Sequence, residues 1–109
     1  MSYCQGTFVI TGNTITNGVR PMEFWMAGAG DLTIDGNIID GSTFDGINIG
    51  SVASVSGGVN NNQFLNFSGP LCLNNHTGFT VDATCNWWGT ADAAAVAASV
   101  SSDVQFLPY

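Results

Sequence analysis

The chain has 109 residues, a single Lys/Arg-type residue against eight Asp+Glu, and a formal net charge of −7. Phosphate backbones and anionic lipid surfaces select clustered Lys and Arg, so neither nucleic acid nor a negatively charged membrane is an expected partner. Charged residues make up 8% of the chain and apolar residues 45%, with 14 Gly; this suits sheets and turns better than solvated helices.

Residues 1–7 lead into a repeat. Four segments align without gaps: Phe8–Ile15, Leu32–Ile39, Gly57–Phe64 and Val81–Trp88, starting 24, 25 and 24 residues apart. Apolar and polar residues alternate within them, the pattern of a strand with one buried face. Four columns result: Phe8, Leu32, Gly57 and Val81; Ile10, Ile34, Val59 and Ala83; Asn13, Asn37, Asn62 and Asn86; Ile15, Ile39, Phe64 and Trp88. A further strand is predicted after each of the first three segments, with Phe24, Ile47 and Leu71 in one column and Met26, Ile49 and Leu73 in the next. Gly18, Gly41 and Gly69 punctuate the linkers.

A repeat near 24 residues carrying about three short strands predicts one coil of a parallel β-solenoid, each strand pairing with its counterpart one coil along. Asn at a bend tolerates unusual backbone angles, and a column of Asn amides can bond from coil to coil. The coils are expected over residues 8–89, in one domain spanning 1–109. Residues 90–100 are Ala-rich, which predicts a helix with Thr90 or Asp92 as N-cap and Val96 and Val100 on one face, lying as a lid over the last coil. Residues 101–109 are expected to add a final strand at Val104–Leu107 before Pro108.

The repeat hydrophobic-x-hydrophobic-x-Gly-Asn-x-Ile, closing in Asp82-Ala-Thr-Cys-Asn-Trp-Trp-Gly-Thr90, resembles the right-handed parallel β-helix, or pectate-lyase-like, superfamily. Its last motif is similar to the C-terminal coils of β-helix modules in bacterial secreted or surface proteins. The resemblance implies an all-β right-handed solenoid of about four coils with a short capping helix, at a secreted or cell-surface location. No charged n-region followed by an apolar stretch opens the chain, and no run reaches the ~18 apolar residues of a membrane helix.

Nothing polar covers the first coil in the sequence, so Phe8, Ile10, Ile15, Phe24 and Met26 are the expected self-association surface. That surface would meet a second copy, as a dimer or an end-to-end stack, or adjoining coils of a longer chain. A structural solenoid module is therefore the expected function, without enzymatic activity. Met22 and Trp25 are candidates for exposure.

The alternative is a polysaccharide-binding or polysaccharide-degrading domain, either lyase or hydrolase. For the lyases of the resembled superfamily, the resemblance implies an Arg or Lys base and often Ca²⁺; only Arg20 can supply such a base. Hydrolases there use clustered carboxylates, whereas Asp35, Asp40 and Asp45 are expected to spread around the second coil. Neither catalytic residues nor a cofactor are therefore expected, although the acidic chain keeps Ca²⁺ open. Trp25 and Trp87 are the candidate sugar contacts. His76 stands alone as a turn residue, and Asn75-His-Thr77 fits a glycosylation acceptor. Cys4, Cys72 and Cys85 lack a Cys-x-x-Cys pair and are most simply three buried thiols, one disulfide plus a free thiol being the other option.

Overall fold

A computed structural model describes residues 7–19, 21–25 and 30–107. Expectations at Cys4, Arg20, Met26 and Pro108 lie outside the described residues.

Among the described residues eleven short strands and one helix follow each other: β1 (Thr7–Thr11), β2 (Thr14–Thr16), β3 (Met22–Trp25), β4 (Asp31–Asp35), β5 (Ile38–Asp40), β6 (Ile47–Ser51), β7 (Val59–Asn60), β8 (Gln63–Leu65), β9 (Leu73–Asn75), β10 (Val81–Asp82), α1 (Ala93–Ala98) and β11 (Val104–Gln105). Every pairing among them is parallel and joins one coil to the next. The first sheet runs β1-β4-β7, the second β2-β5-β8 and the third β3-β6-β9, while β10 pairs with β11. This is a parallel β-solenoid of about four coils, 36 Å in its longest dimension.

The apolar columns form the interior. Phe8 pairs with Leu32, Ile10 with Ile34 and Ile34 with Val59, and Ile15 pairs with Ile39 and then Phe64. Leu32, Ile34, Ile39, Ile47, Ile49, Val59, Phe64, Leu73 and Val81 are all buried. Stacking like on like fills this core without a second layer, because each coil is the packing partner of its neighbours.

Two expected columns are corrected. In the third sheet Met22 pairs with Ile47 and Ile47 with Leu73, while Phe24 pairs with Ile49 and Ile49 with Asn75. The expected partners were two residues off. Leu71 precedes the strand, and Met22 is buried rather than exposed. The cause is a change of linker length, since the stretch from Ile15 to Met22 is shorter than that from Ile39 to Ile47, and that in turn is shorter than that from Phe64 to Leu73. Beyond these pairs a bulge skips Gly50, so that Trp25 pairs with Ser51. Gly57 also leaves its column. Asp31 bridges to Ser54, while Ile34 pairs with Val59. The extra residues turn outward, with the Gly58 N–H donating to the Val55 carbonyl, 3.0 Å. Gly57 then passes so close to Thr33 that an added Cβ would lie 2.0 Å from its Oγ1.

The backbone corners do not sit on the Asn column. Positive φ falls one residue earlier, at Gly12 (66°), Gly36 (70°), Asn61 (58°) and Cys85 (61°). A second left-handed column follows the second sheet, at Asn17 (56°), Gly41 (80°) and Asn66 (48°), and in the fourth coil the left-handed residue comes one position earlier, at Gly89 (85°). Gly and Asn are the residues that enter this region at least cost.

The helix is shorter than expected. Asp92 is its N-cap and accepts from the Ala94 N–H, and Thr90 Oγ1 accepts from the Asp92 N–H. Val96 and Val100 are buried, as their spacing predicts. The helix does not replace the third-sheet strand of the fourth coil: Val100, beyond it, bridges parallel to Leu73 and continues that sheet. β11 then lies parallel against β10, the two forming a separate pair next to β7.

Candidate functional site

Three surfaces carry the residues singled out by the sequence: the outer face of the third sheet, the outer face of the second sheet, and the leading end formed by β1, β2 and β3.

On the third sheet, Trp25 is 44% exposed. Its ring lies over Gly50 of the next coil, where an added Cβ would fall 2.0 Å from the indole. The ring reaches on to His76 of the third coil, centroids 6.1 Å apart and planes 22° apart. Its Nε1–H donates to Glu23 Oε1, 2.8 Å. The residue behind this shelf is Asn48, in register with Glu23 and Asn74 and buried, with no partner for its Oδ1. His76 is therefore a ring partner of Trp25, not merely a turn residue. Gly50, with no side chain, is what lets the indole lie flat; the sequence signal was a Gly inside an alternating strand.

Trp87 belongs to a different face. It bridges to Gln63 beside the second sheet and is 43% exposed. The two outward indoles, Trp25 and Trp87, are not brought together. Trp88 points inward and lies on Phe64, as the alternation predicts.

The three aspartates of the second coil are spread around it. Asp35 accepts from Asn61 Nδ2 (2.8 Å), Asp40 from Asn66 Nδ2 (2.9 Å) and Asp45 from Asn74 Nδ2 (3.0 Å). Each is thus tied to an Asn of the following coil, a pairing the sequence reading missed although the spacings repeat. Two other carboxylates are held below the usual range. Hydrogen bonds from the Ser56 hydroxyl, the Ser56 N–H and the Ser54 hydroxyl lower Asp31, and those from the Thr84 N–H and hydroxyl lower Asp82. Among the described residues no group of three or more His, Cys, Asp or Glu is placed to hold a metal ion, and no pocket is formed.

Asn75 is buried, and its Nδ2 donates to the carbonyls of Phe79 (2.8 Å) and Asp103 (3.0 Å) while Thr77 donates to its Oδ1. The amide that a glycan would need is committed to the fold. Cys72 is buried and free, with its thiol pushed up to about 12 by desolvation, but Cys85 is free and exposed, against the expectation of burial.

The leading end is built on the Asn column. Asn13 donates both its backbone N–H (3.0 Å) and its Nδ2 (3.0 Å) to Asn37 Oδ1. Asn37 does the same to Asn62 Oδ1 at 2.9 and 3.1 Å, and Asn62 to Asn86 Oδ1 at 2.8 and 3.1 Å. Each Nδ2 after the first also reaches back to the preceding coil, from Asn37 to Ile10 O, from Asn62 to Ile34 O and from Asn86 to Val59 O. The Asn-to-Asn bonds therefore have a direction: each Oδ1 accepts from the backbone N–H and Nδ2 of the Asn one coil nearer the N-terminus. Asn37, Asn62 and Asn86 are buried, while Asn13 is exposed.

At this end, β1, β2 and β3 are the outermost strands of their sheets. Phe8, Ile10 and Ile15 are only partly buried, in contrast to Leu32, Ile34 and Ile39 in the same columns, and Phe24 is buried at 7% exposure. No known family model, curated protein or solved structure matches the chain.

Proposed function

We propose that the chain is a structural β-solenoid module of a secreted or cell-surface protein, acting through coil-on-coil stacking at its leading end. One observation carries this reading: three strand edges and the half-buried Phe8, Ile10 and Ile15 lie on the same end. Unpaired edges template further pairing, and apolar area removed from water at about 25 cal/mol per Å² drives it. The facing coil belongs to a second copy or to an adjoining segment. The secreted or surface setting rests on the resemblance and on a surface low in charge. Amide exchange at Thr7–Thr11 and Thr14–Thr16, with sedimentation over a wide concentration range, tests the reading. Protection that grows with concentration identifies self-stacking. Fast exchange in every setting, including in the presence of added coils, removes it.

A second reading is polysaccharide binding on the third-sheet face, favoured by the exposed Trp25 indole held flat over Gly50. An amphipathic ring with one open face suits a sugar ring. Titration with acidic polysaccharides, with and without Ca²⁺, tests it; an unchanged Trp emission and no unsaturated product would remove both binding and lyase activity.

A further inference from the structure

The direction of the Asn ladder restricts what can occupy the leading end. In each interior step, one Asn Oδ1 receives two N–H donors from the coil on its N-terminal side. Asn13 has given both of its donors to Asn37, and its remaining Nδ2 bond goes to the Thr11 carbonyl, 3.0 Å. Among the described residues nothing donates to Asn13 Oδ1. At this corner of the leading end Asn13 thus presents an open Oδ1 acceptor and no free backbone N–H, flanked by the outer edges of β1 and β2.

Two identical acceptor ends do not complement each other. A second copy turned to face the first would bring another Asn13 Oδ1 but no backbone N–H to meet it, because the Asn13 N–H is already given to Asn37. A second copy stacked in the same direction would have to offer the trailing side of Asn86. That side is taken up: β11 pairs along β10, the Ala83 N–H donates to Gln105 O at 2.8 Å, and Asn86 is 2% exposed. The donors that match Asn13 are the backbone N–H and side-chain amide of an Asn at the same corner of another coil running in the same direction.

We propose that the leading end is a docking site for a co-directional β-solenoid coil that carries Asn at the corner before its second strand, and not for a second copy of this chain. The inference rests on the stacking role proposed above and narrows its partner. The partner coil sits ahead of β1, β2 and β3 in parallel register. Its apolar columns cover Phe8, Ile10 and Ile15, and its Asn closes the ladder on Asn13. Specificity comes from the amide, because an apolar coil without it leaves the Asn13 oxygen covered and unpaired.

The probe is a 26-residue peptide with the sequence of Asp31–Ser56, a whole coil with Asn37 at the corner, added to the full chain and, separately, tethered to its N-terminus by a flexible Gly/Ser linker. Tethering raises the effective concentration to the millimolar range and offsets the ordering cost of a free peptide. The expected result is slowed amide exchange at Thr7–Thr11 and Thr14–Thr16, at least tenfold weaker binding by the Asn37→Ala peptide, and a chain that sediments as a monomer without peptide. A concentration-dependent dimer that shields the same amides overturns this inference and leaves the stacking role standing. Equal binding by both peptides refutes the ladder as the selector. A monomer whose amides stay unprotected even with the tethered coil overturns the inference and the stacking role together.

Discussion

Trp88 lies flat on Phe64, with ring centroids 5.1 Å apart and planes within 4°. It ends the column begun by Ile15 and Ile39, and it is 4% exposed. Two stacked rings where lower coils carry Ile widen the core at the end of the solenoid. The arrangement has a cost, since Trp88 Nε1 is buried without an acceptor. Trp88→Ala is expected to lower unfolding free energy by about 3–5 kcal/mol, the usual loss for a buried Trp. Trp88→Phe keeps the ring contact and removes the orphaned N–H, and is expected to stay within about 1 kcal/mol of the parent. Urea denaturation of the two variants checks this; equal losses would show that the indole, not ring stacking, holds the end.

The ladder makes interior and terminal Asn unequal. Asn62→Ala removes the Oδ1 acceptor of the Asn37 N–H and Nδ2 and the Nδ2 donor to Asn86 Oδ1 and the Ile34 carbonyl, all buried, while the Asn62 backbone N–H still donates to Asn86. Several polar groups are then left unpaired in the core, and the expected loss is about 3 kcal/mol or more. Asn13→Ala removes only the two Nδ2 bonds, exposed or half-exposed, at the leading end, with about 1 kcal/mol expected. Chemical denaturation of the pair decides it, and similar losses would mean that the ladder is not the cooperative element of the coil.

The period of the solenoid and three of its columns were legible because the buried residues repeat at fixed spacing: Ile10, Ile34 and Val59 pair as aligned, as do Ile15, Ile39 and Phe64. The third sheet was misregistered because the linkers before it vary in length from coil to coil, which no periodicity marks. Gly57 was aligned to Leu32 because an ungapped comparison does not reveal an outward turn at Val55–Gly58. The role given to the Asn column was half right: its amides do bond from coil to coil, but the left-handed bend belongs to the residue before each Asn. Asn61 and Cys85 hid that column, since neither matches Gly12 and Gly36 by residue type. The Trp25 shelf depends on a side chain crossing from the first coil to the third, which spacing along the chain does not encode.

Cys85 occupies that bend with φ of 61° and an exposed side chain. A non-glycine residue held there costs about 1–2 kcal/mol, and a glycine returns part of this through its freer unfolded chain. Cys85→Gly is therefore expected to raise stability by about 0.5–1 kcal/mol. Cys85→Val, branched at Cβ, is expected to lower it. Thermal and urea unfolding of both variants, under reducing conditions, checks the opposite signs.

Acid sensitivity follows from Asp31 and Asp82. Both carboxyls are held below the usual carboxylate range by hydroxyl and backbone N–H donors. A lowered folded value means that the stabilisation is present above about 4 and is lost as pH falls through the folded values. Asp31→Asn is expected to weaken the pH dependence of unfolding between pH 4 and 2 while leaving the dependence above pH 5 unchanged. The measurement is urea midpoint against pH, and identical acid limbs for parent and variant would show that the Ser54 and Ser56 bonds do not favour the ionised form.

Alkaline sensitivity should come from the core. The Cys72 thiol is 1% exposed, and desolvation raises it from 9.0 to about 12, against a smaller lowering from Ser99. Between those values the unfolded chain has released the proton and the folded chain has kept it. Stability from this group is then complete below about pH 9 and declines as pH rises toward 12, by at most about 1.4 kcal/mol per pH unit. Cys72→Ala removes the titrating group without adding a polar one. The decline in unfolding free energy from pH 9 to 11 should accordingly be shallower in the variant than in the parent, with both under reducing conditions. Parallel slopes would mean that water reaches the Cys72 sulfur in the folded chain, and that the packing between β9 and the segment after α1 is looser than its 2.7 Å bond from the Cys72 N–H to Ser99 O implies.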